Sequence, residues 1–168
     1  SLFAYTAYGG HMSSSTGADI VITDTNGTTA LNYEREYYSS STGEIILWIK
    51  ADISTVANKD LYIYYGNPSI VSDQSTTTGV WDNNYLMVQH LKEISGSGNY
   101  VLDSTKNKNN GAPAGATPPT HIANSQIDGG WDFAGANQQR LEFPDSTTLR
   151  PTTARRPQEF RIRESIEP

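Results

Sequence analysis

The chain has 168 residues and no cysteine, which excludes disulfides and thiol chemistry and disfavours zinc clusters. Its formal charge is −6. It therefore lacks the excess of Lys and Arg on which nucleic-acid binding rests, and no apolar run approaches the ~18 residues of a membrane span.

Tyr, Thr, Ser, Asn and Gly dominate the sequence, a composition that suits short pleated strands joined by turns. The first residues, Ser1-Leu2-Phe3, read as an internal start, without the pattern of a signal peptide. Ala18 to Thr23 is predicted as a strand, ended by the turn Asp24-Thr25-Asn26-Gly27. Thr28 to Tyr38 alternates, with Leu31, Tyr33, Arg35 and Tyr37 on one face and Asn32, Glu34 and Glu36 on the other. After a second turn, Ser39 to Gly43, comes the most apolar segment, Glu44 to Lys50, expected to be central to the core. A polar loop, Ser54 to Asp60, leads to Leu61-Tyr62-Ile63-Tyr64-Tyr65. There Leu61, Ile63 and Tyr65 share a face, and Tyr62 and Tyr64 point outward if that face is core.

Residues 69 to 84 read as a polar connection with a boundary at its end. Tyr85 to Leu91 is strand-like, and Ser95 to Pro119 is too polar to hold a core by itself. Trp131 to Phe133 and Arg140 to Phe143 are short predicted strands. From Ala154 the composition changes: seven of the last 15 residues are charged, including four of the chain's seven Arg. This tail reads either as a non-native extension or as a solvated basic tail.

Two loops offer oxygen ligands of the kind calcium takes. One is the turn carrying Asp24 and Asn26, for which a plain hairpin is the simpler account. The other is the run from Asp103 to Gly111, where Asn109 and Asn110 also suit sugar hydroxyls; the alternative is a loop closed by Asx turns. The aromatic residues that would stack on a pyranose are Tyr37, Tyr38, Tyr62, Tyr64 and Trp81, whereas Trp48 and Trp131 are expected in the core. His11, His90 and His121 show no metal spacing, and His90 is expected to be a hydrogen-bonded structural residue. Glu34 and Glu36, ~7 Å apart by strand rise, would be the acids if the chain were a glycoside hydrolase. Same-face charges on a solvated sheet face are common and are the simpler account of them. Serine-hydrolase elbows, phosphate loops and zinc-protease motifs are absent from the sequence.

Four blocks stand in a recognisable order: Gly17-Ala18-Asp19-Ile20 with Thr23-Asp24-Thr25-Asn26-Gly27, then Asn32-Tyr33-Glu34 through Tyr37, Gly43 to Lys50, and Leu61 to Pro68. Over about residues 10 to 82 the chain resembles a bacterial and archaeal surface-protein family of unknown function. That family commonly stands directly before a laminin-G-like or concanavalin-A-like module. His90-Leu91-Lys92-Glu93, the Asp103 to Gly111 run and Gly130-Trp131-Asp132-Phe133 look like the start of such a module. The resemblance implies a β-sandwich that binds polysaccharide, in some members with calcium, and it implies no reaction.

The expected architecture is all-β, an antiparallel, jelly-roll-like sandwich over residues 1–82. An incomplete second β-module (83–153) and the tail (154–168) come after it. The expected function is a carbohydrate-binding accessory or adhesion module at the cell surface or outside the cell, taking a polysaccharide or cell-surface glycan. Calcium is an optional cofactor, and open strand edges allow self-association. The alternatives are a spacer or adhesin domain without a small ligand, and a hydrolase using Glu34 and Glu36.

Overall fold

A computed structural model describes residues 1–123, 127–135 and 138–150. The fold is all-β, with antiparallel pairing in every sheet. In the first half, β1 (Val21–Thr23) pairs with β4 (Tyr62–Tyr64), and β2 (Tyr33–Tyr38) pairs with β3 (Ile45–Ile49). These two ribbons contribute to a core of fully buried Met12, Ile20, Ile22 and Tyr33. Phe3, Leu31, Tyr38, Ile45, Leu47, Ile49 and Tyr65 pack around it. Each large apolar side chain removed from water there contributes ~1.5–3 kcal/mol. The Tyr33 hydroxyl donates to the Ile20 carbonyl at 2.6 Å and so ties β2 to the entry of β1. Burial pushes that phenol up to about 12.

The turn after β1 is a hairpin turn, as its sequence suggests. Gly27 adopts φ +70° and its N–H donates to Asp24 O at 2.8 Å. The Asn26 side chain accepts the N–H groups of Thr28 and Thr29 at 3.0 and 2.9 Å.

The alternation predicted for β2 holds only as far as Glu36. Tyr33, Glu34 and Arg35 face Ile49, Trp48 and Leu47, but the next pairs are Tyr37 with Ile46 and Tyr38 with Ile45. Glu36 is an extra residue with no partner, a β-bulge that reverses the parity of the strand beyond it. Tyr38, rather than Tyr37, therefore returns to the core side, where its hydroxyl donates to Phe3 O at 2.9 Å.

The apolar strand β3 is not central. Among the described residues it pairs with β2 alone, and all five of its residues are half-buried. It reads as a continuous apolar run because both of its faces are partly covered. Ile45, Leu47 and Ile49 meet the core, and Trp48 on the opposite face meets Trp81 and His90.

The polar connection contains one helical turn, α1 (Thr77–Val80), joined to β2 by the Thr76 N–H donating to Tyr33 O at 2.8 Å. Tyr85 to Leu91 forms no regular strand; only Gln89 bridges to Asp103. Beyond it, β5 (Ala112–Ala114) pairs with β8 (Arg140–Glu142), and β6 (Thr120–Ile122) pairs with β7 (Gly130–Asp132). The expectations for the tail from Ala154 lie outside the described residues.

Candidate functional site

The face of β2 opposite the core carries Glu34 and Glu36. Sequence suggested a solvated face, but the structure buries both: their side chains are 9% and 1% exposed. Two buried carboxylates are costly unless donors and charge compensate them. Segments distant in sequence supply that compensation. His90 stands between the two, with Nε2 3.1 Å from Glu34 Oε2 and Nδ1 3.4 Å from Glu36 Oε2. The Trp81 indole N–H donates to Glu34 Oε2 at 2.5 Å and the Ser104 hydroxyl to Oε1 at 2.7 Å. The Trp48 indole N–H donates to Glu36 Oε2, and the Lys92 ammonium donates to the Glu36 carbonyl. Burial raises the Glu34 carboxyl, but the bonds from His90, Trp81 and Ser104, with the charge of His90, outweigh it and hold Glu34 at about 2.

That chemistry suits an anchor better than a hydrolase. Glu34, held below the ordinary carboxylate range, is not poised as a general acid, while a nucleophile or base would be ionised in the same way. What the cluster achieves is attachment: it fastens Trp81, His90, Lys92 and Ser104 onto β2.

Outward of the anchor, Trp48, Trp81 and Tyr85 with Val80, Lys50 and Asp82 line an open cleft of about 340 Å³. Trp48 stacks on His90 at 5.4 Å and 27°, and Tyr85 meets Trp81 edge-on at 5.2 Å and 73°. Because each indole N–H is bound inward to a carboxylate, the orientation of both rings is fixed. A Lys50–Asp82 ion pair of 3.0 Å rims the cleft, and Tyr85 is 44% exposed. Trp48, expected in the core, is thus a half-buried wall of this cleft.

The other residues singled out by sequence lie apart from it. Tyr62 and Tyr64 are exposed on β4, but so is Ile63 between them, so the inward face expected for Leu61, Ile63 and Tyr65 is not formed at Ile63; the Tyr64 hydroxyl donates to Gly27 O at 3.0 Å. Tyr37 is half-buried on the bulge, and Tyr38 belongs to the core. Asp24 is held below the usual carboxylate range by the Thr25 N–H and by Lys59 at 3.0 Å.

Asp103 is 1% exposed, and its carboxylate accepts the N–H groups of Val88, Thr105 and Asn109 and the Thr105 hydroxyl, all at 2.8–3.0 Å. Burial raises this group, yet those donors hold it below its ordinary value. A cation at Asp103 would meet hydrogens rather than lone pairs. Among the described residues, no group of three or more His, Cys, Asp or Glu is gathered to hold a metal. Calcium therefore gains no support at Asp24, Asn26 or Asp103. Asn110 accepts the Asp103 N–H at 2.8 Å, and Asn109 bridges Leu86 O and the Thr148 hydroxyl, each at 2.9 Å. Both border a polar pocket of about 280 Å³ with Asn99, Asn107, Lys108 and Asp145.

Residues 16–92 match the model of a family described as a domain of unknown function, DUF2341. The matched span takes in β1 to β4, α1, both buried glutamates, His90, Lys92 and the aromatic walls of the cleft; Ser104 lies beyond it. No curated protein and no solved structure matches the chain. No helix among the described residues is long and apolar enough to cross a membrane.

Proposed function

We propose that the chain is a carbohydrate-recognition module of an extracellular or cell-surface protein. It takes a polysaccharide or cell-surface glycan in the cleft of Trp48, Trp81 and Tyr85. The observation that carries this reading is the cleft itself: preoriented aromatic rings beside a charged, hydrogen-bonding rim. Ring faces cover the apolar C–H face of a pyranose, while Lys50 and Asp82 meet its hydroxyls. The indole bonds to Glu34 and Glu36 fix the rings before a ligand arrives, which lowers the ordering cost of binding. No cofactor is required. In this reading residues 83–153 are the opening part of a laminin-G-like or concanavalin-A-like module.

The test is retention on a panel of soluble and insoluble polysaccharides, with calcium and with chelator, while following released reducing sugar. We expect retention on at least one polymer, insensitive to chelator and without sugar release. Tyr85→Ala should weaken it about tenfold or more, the value of one buried aromatic contact.

A spacer or adhesin domain is the second reading. It is favoured by the commitment of both indoles to a buried anchor, a purely structural use of those rings. Failure to bind any polymer would put it first. Release of reducing sugar would instead revive a hydrolase using Glu34 and Glu36.

A further inference from the structure

We infer that the edge of β3 left unpaired among the described residues is a self-pairing surface, through which two copies of the chain join antiparallel strand to strand. The argument rests on the strand edge and not on the carbohydrate reading, although Trp48 and Lys50, the latter paired with Asp82 at 3.0 Å, belong to both surfaces. Glu44 O accepts the Ser39 N–H at 2.9 Å, and the Lys50 N–H donates to Asn32 O at 3.0 Å. Even-numbered residues of this segment therefore turn their backbone groups toward β2. Alternation turns the N–H and C=O groups of Ile45, Leu47 and Ile49 to the opposite edge. No described residue pairs with them there. Within Ile45–Ile49 there is no proline, no charge and no bulge of its own, the devices that ordinarily protect an edge strand. Ile46, Leu47, Trp48 and Ile127 border an open trough of about 370 Å³ on the same side of the molecule.

The occupant is identified by the charges flanking the strand. Glu44 precedes it and Lys50 comes directly after it. Antiparallel pairing about a two-fold axis at Leu47 sets Leu47 against Leu47 of the partner subunit and Ile45 against Ile49 of the partner subunit. These are the residues whose backbone groups point outward, so the hydrogen bonds close. The same register sets Ile46 against Trp48 of the partner subunit, an apolar cross-strand pair. It also places Glu44 opposite Lys50 of the partner subunit, at both ends. Parallel pairing would instead oppose Glu44 to Glu44 and Lys50 to Lys50. The contact is isologous and closes at two copies.

The test is sedimentation equilibrium over a concentration series of the full chain, with circular dichroism confirming that every variant is folded. The parent should show a reversible monomer–dimer equilibrium. Glu44→Lys opposes lysines and Lys50→Glu opposes glutamates, so each alone should weaken dimerisation about tenfold. Mixing these two variants restores both attractive pairs, and the mixture should dimerise as the parent does. The double charge swap in one chain should also dimerise. A parent that stays monomeric at every concentration overturns the inference. So does a dimer that ignores either single change, or single variants whose mixture stays monomeric.

Discussion

At the residue scale, the molecule turns on how two carboxylates survive burial. Glu34 and Glu36 sit under indoles and an imidazole, and removing one partner of such a cluster leaves a charge uncompensated. His90→Ala is therefore expected to cost about 3 kcal/mol, read as a fall in the urea midpoint at unchanged slope. A near-neutral result would remove His90 from the anchor. Glu34 also sets an acid limit. Its folded-state value of about 2 lies below the ordinary 4.5, so it adds stability above pH ~4.5 that drains away as pH falls toward 2. Acid unfolding of the parent should show this drain, and Glu34→Gln should flatten it. Equal acid sensitivity in both would contradict the assignment. None of this was legible in the sequence. Alternation correctly put Glu34 and Glu36 on one face, but the groups that bind Glu34 come from 47 to 70 residues further along the chain, and only Trp48 over Glu36 is nearer, 12 residues away.

At the scale of elements, the strands themselves were readable because alternation, turn residues and β-branched runs are local signals. The hairpin turn at Asp24 to Gly27 is of this kind, whereas β4 is exposed at Tyr62, Ile63 and Tyr64 alike and shows no inward face at Ile63. The bulge at Glu36 is not, since one inserted residue leaves no compositional mark and still exchanges the roles of Tyr37 and Tyr38. Nor is the edge position of β3, because a strand half-covered on both faces has the same apolar run as a central one. The loop after Asp103 stands out in sequence for its oxygens, but its carboxylate faces inward and holds N–H groups. Asp103→Ala should leave the N–H groups of Val88, Thr105 and Asn109 without their acceptor. Faster hydrogen exchange at those three amides, with β1 to β4 unchanged, is the expected outcome; unchanged exchange would show that the loop is held by other means.

At the scale of the whole molecule, the buried anchor, the cleft and the edge of β3 left unpaired among the described residues meet around one strand pair. Trp48 touches all three: its indole N–H binds Glu36, its ring walls the cleft, and its strand offers the open edge. The anchor also fastens residues 81 to 104 to β2, so the cleft is shaped by parts of the chain far apart in sequence. Composition and charge argued against a nucleic acid and suited a neutral or cationic polymer, or a metal ion. The place where such a polymer would lie became visible only once Trp48, Trp81 and Tyr85 were seen together.

The most direct measurement of the central claim is tryptophan emission during titration with a retained polysaccharide, on the parent and on Tyr85→Ala. Carbohydrate binding in the cleft predicts a saturable change in the parent that is lost or shifted to about tenfold higher concentration in the variant. A polymer that binds while emission stays constant, or that binds both proteins equally, would contradict the cleft as the binding site.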